Sequence, residues 1–500
     1  PAALREQVLA DVSWENVWLR GGALHDRPVD GAVAVHWPRL GPAQWAVLRA
    51  GLQQGRNVPA DEAAARWEVA LKAAFAALLA DAATLLPILA AATGYSEAML
   101  AAALGGEELL GAGALSRAMA YRPTWSVARR WETMPELPGK IRFFPAGPAR
   151  GLASLRPHIP LFRPAPVTDL ALGYAAGNVP GTALLIALLG ALANQASAGS
   201  YAPAVLVRNS RHEPLLAAQA LNAIEAADPE LTAGVAIMIW DYADGALQAE
   251  LMRSAGLMIA AAGDETIGAL AVQRARAPRC RFHAHGHKAS FTVIEDPTPE
   301  SARLAALDSA LWDLNGCLSA RIHFVAGDVE AYGRHLADAM RELATRIPRG
   351  TTPRRFVHRA FDSYTAMGAG TNQTQVYSDY DEDFAVIVDR RPWDGDRFRH
   401  TVNACQGRVV VVRPVGDALE AAHMLRWLPS ANLQSVSASL GQTSGRLFAD
   451  AAGAAGVTAI RPLGRAAFPQ LAYSWDGLLP LDVAHVRPAG HFTTIEFDAV

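Results

Sequence analysis

Residues 311–321 read LWDLNGCLSAR, and Cys317 within them is one of only three cysteines in 500 residues. A thiol placed directly after Asn-Gly and before an apolar, strand-like run is either a small core filler or a nucleophile. The spacing predicts a helix ending at Leu314, a turn through Asn315 and Gly316, and a strand from Ser319 to Val325. Such a loop is where a rigid scaffold commonly carries a reactive group. The preceding helix would present its negative end to the thiol and raise its pKa, so some other group must favour the thiolate. Two cysteines compete for the role: Cys280 sits among arginines in PRCRF, and Cys405 lies in VNACQGRVVVV at the mouth of a strand.

Three further stretches carry usable groups. GYAAGNVPG (173–181) closes one strand and opens a helix, and its small residues let backbone approach a ligand while Asn178 offers an amide donor. It lacks the GxGxxG spacing of a phosphate cradle. VRNSRHEP (207–214) follows the next strand, where a cofactor ribose is read, and Arg208 and Arg211 suit a 2′-phosphate. HAHGHK (283–288) alternates His283, His285 and His287, which on a strand would share one face. Gly286 loosens that strand, and no carboxylate or second histidine pair stands nearby in sequence, so no metal site is expected.

The elements that must position these groups follow an alternating cadence. Strands are expected at 170–175, 204–209, 234–240 and 256–263, with helices at 181–196 and 213–227, the form of a parallel sheet covered on both faces. A second α/β unit follows, with strands at 290–296, 319–325, 384–389 and 408–414 and helices at 300–314 and 328–346. Residues 61–120 are rich in alanine and leucine at helical spacing. The polar stretch 348–383 has no clear element, and HFTTIEFDAV at the end reads as a strand able to pair with another sheet or another subunit.

Composition narrows the function classes. With 51% hydrophobic and 19% charged residues the chain can bury more than one core. The net formal charge of -3 excludes a global basic field for nucleic acid or an anionic membrane. An odd cysteine count without CxxC pairing argues against a disulfide framework or a zinc knuckle. The first residues lack an apolar signal-peptide core, and GTALLIALLGALA (181–193) is too short to span a bilayer. The expectation is a soluble cytoplasmic protein without a membrane span.

LWDLNGCLSAR resembles the active-site segment of the long-chain fatty acyl-CoA reductases of bacterial luminescence, the LuxC family within the aldehyde dehydrogenase superfamily. ATGYSEAML (92–100), AGNVPG (176–181), HGHKASFTVI (285–294) and IRPLGRAAFPQLAYSWDG (460–477) match in the same order. The resemblance implies an aldehyde dehydrogenase-like α/β fold. In it a helical N-terminal region with connections (1–154) precedes a Rossmann-type nucleotide-binding domain (155–285) and a catalytic domain (286–465). A C-terminal segment (466–500) returns to the nucleotide domain or a partner subunit.

The activity implied is NAD(P)H-dependent reduction of a fatty acyl thioester, carried by CoA or an acyl carrier protein, to the aldehyde. Cys317 would form the S-acyl intermediate, Asn178 would stabilise the oxyanion, and His287 is the base candidate, with His285 beside it. The cofactor candidates at the strand ends are Gly177, Val179, Pro180, Arg208, Ser210, Gly263, Asp264 and Thr266. Arg208 replaces a lysine usual in the superfamily, which leans to NADPH and leaves NADH open. AHGHK stands where ordinary aldehyde dehydrogenases carry ELGGK, so the glutamate that activates water is missing and thiol chemistry is favoured. The resemblance further implies a homo-oligomer and is compatible with a multienzyme complex. The alternatives are a CoA-acylating aldehyde dehydrogenase, an acyl-phosphate reductase, or a non-catalytic or metal-binding subunit.

Overall fold

The computed structural model describes residues 14–496 apart from 55–57, 59, 105–113, 135–136, 166–167, 196–203 and 242–243. It divides into two units: Pro1–Tyr121, Phe162–His287 and Pro480–Arg487 form the first, and Arg122–Leu161, Lys288–Leu479 and Pro488–Val500 the second. Among the described residues, no single helix is long and apolar enough to cross a membrane.

The first unit is organised by five parallel strands, β1 (Leu170–Tyr174), β2 (Ala204–Arg208), β3 (Val235–Met238), β4 (Leu257–Ala261) and β5 (Arg281–His285), in the order β5-β4-β1-β2-β3. All five residues of β1 and of β4 are buried, as expected of parallel strands covered on both faces. Helices α1 (Thr182–Gln195), α2 (Leu216–Ala227), α3 (Gly245–Ser254) and α4 (Asp264–Arg274) make the crossovers. The contact of α1 with β1 is close enough that a Cβ on Gly173 would lie 2.5 Å from Ile186. The chain runs outward from β1 through β2 to β3, then returns to the other side of β1 for β4 and β5. The loops after β1 and β4 therefore flank the reversal point, where open α/β sheets bind ligands.

Residues 14–38, read from the sequence as part of a helical region, instead form a three-stranded antiparallel sheet of Trp14–Arg20, Ala23–His25 and Val33–Pro38. Alternation explains it, since Val17, Leu19, Val35 and Trp37 are buried between exposed or half-exposed neighbours. Gly21 and Gly22, with φ of 59° and 78°, make the tight hairpin turn that only such residues enter freely. The expected helices follow as Ala60–Ala80, Ala82–Thr93, Glu97–Leu104 and Ala114–Ala120.

The second unit holds a ten-stranded mixed sheet. Its parallel centre comprises β6 (Ala289–Ile294), β7 (Ala320–Val325), β8 (Ala385–Asp389), β9 (Val409–Pro414), β10 (Leu433–Ser439), β11 (Ala459–Pro462) and β12 (Gly490–Ile495), ordered β8-β9-β7-β6-β10-β11-β12. The terminal strand β12 lies between β11 and the antiparallel Lys140–Pro145. Both its edges are thus filled within its own unit, which corrects the reading that it pairs with another sheet or subunit; residues 497–500 of that reading lie outside the described residues. The stretch 348–383 contains a helix, Arg355–Gly368, and an edge strand, Thr374–Val376.

The largest departure from expectation lies just before Cys317. Helix α5 (Pro299–Ala310), begun by a capping box of Thr298 and Ser301, stops at Ala310 rather than Leu314. Trp312, Asp313 and Leu314 then take φ of 60°, 49° and 61°, three consecutive left-handed residues, each strained by its Cβ. A buried ion pair holds this turn. Arg408 Nε donates to Asp313 Oδ1 at 2.8 Å, Gly350 N donates to Oδ2 at 3.0 Å, and Gly407 N donates to the Asp313 carbonyl at 3.1 Å. Arg408 is 1% exposed and Asp313 not at all. Removing one partner of such a pair leaves an uncompensated buried charge. Arg408→Met is expected to lower stability by about 3–5 kcal/mol in chemical denaturation. An unchanged midpoint would show that the pair does not hold the turn.

Candidate active site

Cys317 follows the left-handed turn, on the loop that enters β7, and is half-buried. Ser290 Oγ, at the start of β6, donates to the Cys317 carbonyl at 2.7 Å and meets Ser435 Oγ of β10 at 2.9 Å. Ser319 Oγ donates to the Leu311 carbonyl at 3.1 Å and closes the base of the loop. Burial, reinforced by the charge of Asp476, pushes the thiol up to about 11; the Gln434 side chain, the cysteine's own backbone N–H and the charge of Arg461 act the other way. The helix end invoked from the sequence is not the cause, because α5 ends at Ala310 and the turn intervenes. The resting thiol is protonated at neutral pH.

Residue exposure, not thiol acidity, separates Cys317 from the competing cysteines. Cys280 and Cys405 are buried in the cores of the first and second units, and burial raises their thiols to about 11 and about 12. Cys317 is the one residue of the three that is half-buried rather than buried. Sequence reasoning missed Gln434, which is buried in β10, and gave no role to Asp476 of the quoted SWDG. Asp476 has a φ of 53° in a tight turn closed by mutual backbone bonds of Trp475 and Leu478. The Trp-Asp-Gly string was the available signal for that turn.

The remaining candidates belong to the first unit. Asn178 is exposed on the loop after β1, and Tyr95 of ATGYSEAML donates its hydroxyl proton to the Asn178 carbonyl at 2.6 Å. Two motifs far apart in sequence thus meet. Thr182 Oγ1 donates to the Val179 carbonyl at 2.7 Å, Pro180 is half-buried beside it, and Gly181 adopts φ of 85°. A side chain on Gly177 would collide with Ser210 and His212, so this glycine packs the first loop onto the second. Arg208, ending β2, donates from Nε to the Trp240 carbonyl at 2.9 Å. Arg211 pairs with Glu15 at 3.2 Å, which commits it to the N-terminal sheet.

Glu213 went unnoticed in the sequence. Its buried Oε1 accepts from Leu215 N at 3.1 Å and Leu216 N at 2.6 Å at the start of α2, and a further backbone bond reaches Gly181. Burial raises this carboxyl to about 7 against those bonds. Gly263 precedes α4 with open space where a Cβ would stand, and Thr266 is half-buried in the first turn of that helix. Asp264 Oδ1 accepts from His287 N at 2.7 Å, so this carboxylate anchors the histidine loop; beside a phosphate it would be repulsive. Strand β5 ends at His285, leaving the exposed His287 beyond it, so the three histidines do not share one strand face. His283 is pushed down to about 3 by burial first, then by His285 and nearby arginines. Among the described residues no group of three His, Cys, Asp or Glu could hold a metal.

Residues 164–485 match the sequence model of the family described as Acyl-CoA reductase (LuxC). The chain belongs to that family. The matched span includes every candidate named above from Asn178 to Cys317, Gln434 and Asp476, and the LuxC assignment places the chemistry among oxidoreductions of the acyl or aldehyde group. No curated protein sequence matches significantly. Among solved structures, a NAD-dependent benzaldehyde dehydrogenase from Corynebacterium glutamicum is similar at 12% identity and TM-score 0.58, covering 96% of this chain and 98% of that one. A succinate-semialdehyde dehydrogenase from Burkholderia pseudomallei is similar at 14% identity and TM-score 0.59, covering 98% of each chain. The fold of this LuxC-family chain is thus aldehyde dehydrogenase-like.

Alkylation of Cys317 by iodoacetamide, followed by peptide mapping, should be slow near pH 7 and rise about tenfold per pH unit towards 11. Asp476→Asn removes the charge that opposes the thiolate and should move this profile to lower pH, whereas Gln434→Leu should move it higher. A profile unmoved by both changes would contradict the assignment. For Glu213 the folded-state pKa lies above the ordinary value of 4.5, so its contribution to stability is full below that value and lost as pH rises through about 7. Glu213→Gln should therefore flatten the fall in melting temperature between pH 5 and 8.

Proposed function

We propose that this protein reduces a fatty acyl thioester to the aldehyde through an S-acyl derivative of Cys317. The observation that carries the reading is the cysteine itself: the one of three that is half-buried rather than buried, on a loop held by a strained, ion-paired turn inside the matched family span. The Cys317 sulfur attacks the thioester carbonyl, the bond from that carbon to the donor's sulfur breaks, and the donor leaves as a thiol carrying the proton that Cys317 gives up. The Asp476 carboxylate, whose charge bears on the thiol, is favoured as the first acceptor of that proton, and His287 is the second candidate. Asn178 and the backbone N–H of Cys317 are assigned the developing oxyanion.

A reduced nicotinamide, when bound, supplies the hydride that converts the acyl group to the aldehyde. The first unit offers it the loops after β1 and β4, which flank the reversal point of the sheet, and the neighbouring loop after β2, with Gly177, Val179, Pro180, Ser210, Gly263 and Thr266 as the proposed lining. Arg208 there favours NADPH through its 2′-phosphate. Asp264 is reassigned to holding the His287 loop. The absence of the superfamily's glutamate from AHGHK supports a thiol, from CoA or an acyl carrier protein, over water as the partner of the acyl group.

Oxidation of NADPH and NADH with a panel of acyl-CoAs, with the aldehyde trapped, tests the proposal. Cys317→Ala should abolish turnover while retaining cofactor affinity. Asn178→Ala should slow it by roughly 10- to 1000-fold with the fold intact. Substantial turnover in Cys317→Ala would sink the mechanism.

A further inference from the structure

Three polar side chains that the proposed reaction does not use meet at the base of the Cys317 loop. They are Ser309, in the last turn of α5, His323 of β7, and Tyr332 on the helix Val329–Arg346. Each is 0% exposed. Polar groups buried this deeply are costly unless bonded, and here each bond fixes the direction of the next.

Ser309 Oγ donates to the Ala320 carbonyl at 2.7 Å. That bond takes the single hydroxyl proton, so the 2.8 Å contact between Ser309 Oγ and His323 Nε2 requires the ring proton to sit on Nε2. Nδ1 is then bare, and it accepts from the Tyr332 hydroxyl at 2.9 Å. The imidazole is neutral, and burial holds its pKa down at about 3. Protonating the ring would turn Nδ1 into a second donor facing Tyr332, whose own proton would lose its acceptor. Ser309 is not a nucleophile, because it is closed to solvent and gives its proton to a main-chain carbonyl rather than to the imidazole.

The place of this chain of bonds matters. Ala310, next to Ser309, ends α5, and Ala320 begins β7. The bond from Ser309 to Ala320 therefore joins the two ends of the segment that carries the left-handed turn and Cys317. Ser319, bonded to the Leu311 carbonyl, adds a second rung just inside it. The pair of Asp313 and Arg408 holds the turn, whereas the neck of the loop is held by the serine.

We infer that His323 is a positioning residue for Cys317: its Nε2–H fixes the Ser309 hydroxyl on the Ala320 carbonyl and keeps the neck of the loop closed. Its bearing on turnover rests on Cys317 being the nucleophile of the proposed reaction; the bonding itself does not.

Two measurements on the full chain test the inference. With histidine labelled with nitrogen-15, the ring signals lost in His323→Leu identify this residue, which should show the neutral Nε2–H tautomer throughout the range from about pH 5 to about pH 8. The Nδ1–H tautomer, or titration within that range, would overturn it. The second measurement is the pH profile of Cys317 alkylation by iodoacetamide. Ser309→Ala opens the neck and relieves the burial that raises the thiol, so alkylation at about pH 8 should quicken about 3- to 10-fold and the profile should move to lower pH. His323→Leu should act in the same direction, and the double variant should be no faster than Ser309→Ala alone, because the histidine works through the serine. Variants with a lower denaturation midpoint but an unmoved profile would reduce the network to a structural contact and overturn the inference. Should Ser309→Ala fail to fold, His323→Leu and the tautomer decide. A moved profile in a protein that takes no acyl group on Cys317 would sink the thioester reading and leave the neck standing; an acyl adduct with an unmoved profile would do the reverse.

Discussion

The buried pair of Asp313 and Arg408 is the constraint on which the Cys317 loop depends. Three successive left-handed residues are unfavourable for L-amino acids, and the local bond from Asn315 N to the Trp312 carbonyl at 2.8 Å closes only part of the turn. The compensation arrives from distant segments: the guanidinium of Arg408 and the amides of Gly350 and Gly407 converge on one aspartate. Continued as an α-helix, the chain would pass the position of Cys317 in a different direction. Reversed at Ala310, it delivers the thiol to a loop whose carbonyl is held by Ser290.

The same arrangement governs the state of the thiol. Burial and a neighbouring carboxylate hold the thiol protonated, while Gln434 is placed to stabilise the thiolate once it forms. A thiol of this kind resists adventitious alkylation and oxidation, since the thiolate is the reactive form. In the proposed reaction, activation rests on what changes when the acyl donor enters: displacement of water from the thiol, and the transfer of its proton to a carboxylate or imidazole.

Much of the fold was legible because buried parallel strands write themselves as continuous apolar runs. Leu170–Tyr174, Ala204–Arg208 and Leu257–Ala261 fall within the stretches their sequences announce. Cys317 was legible by its scarcity and by the Asn-Gly turn signal. The left-handed turn was not, because Leu-Trp-Asp-Leu continues a helical pattern and its stabilising partner lies 95 residues away in sequence. Gln434 and Asp476 escaped for the same reason: their relevance is set by β10 and a turn far from the cysteine in sequence. The N-terminal strands are written only as a short alternation around Gly21-Gly22, next to a far longer alanine-rich helical pattern. His287 was misplaced by extending a strand past Gly286, where the backbone leaves the ladder.

The central claim is that Cys317 becomes acylated. Intact mass measurement after brief exposure to acyl-CoAs without nicotinamide, followed by peptide mapping, tests it most directly. The account predicts one acyl adduct on the peptide containing Cys317, lost with release of aldehyde when NADPH or NADH is added. An adduct on another residue, or none with any acyl-CoA or acyl carrier protein thioester, would contradict it.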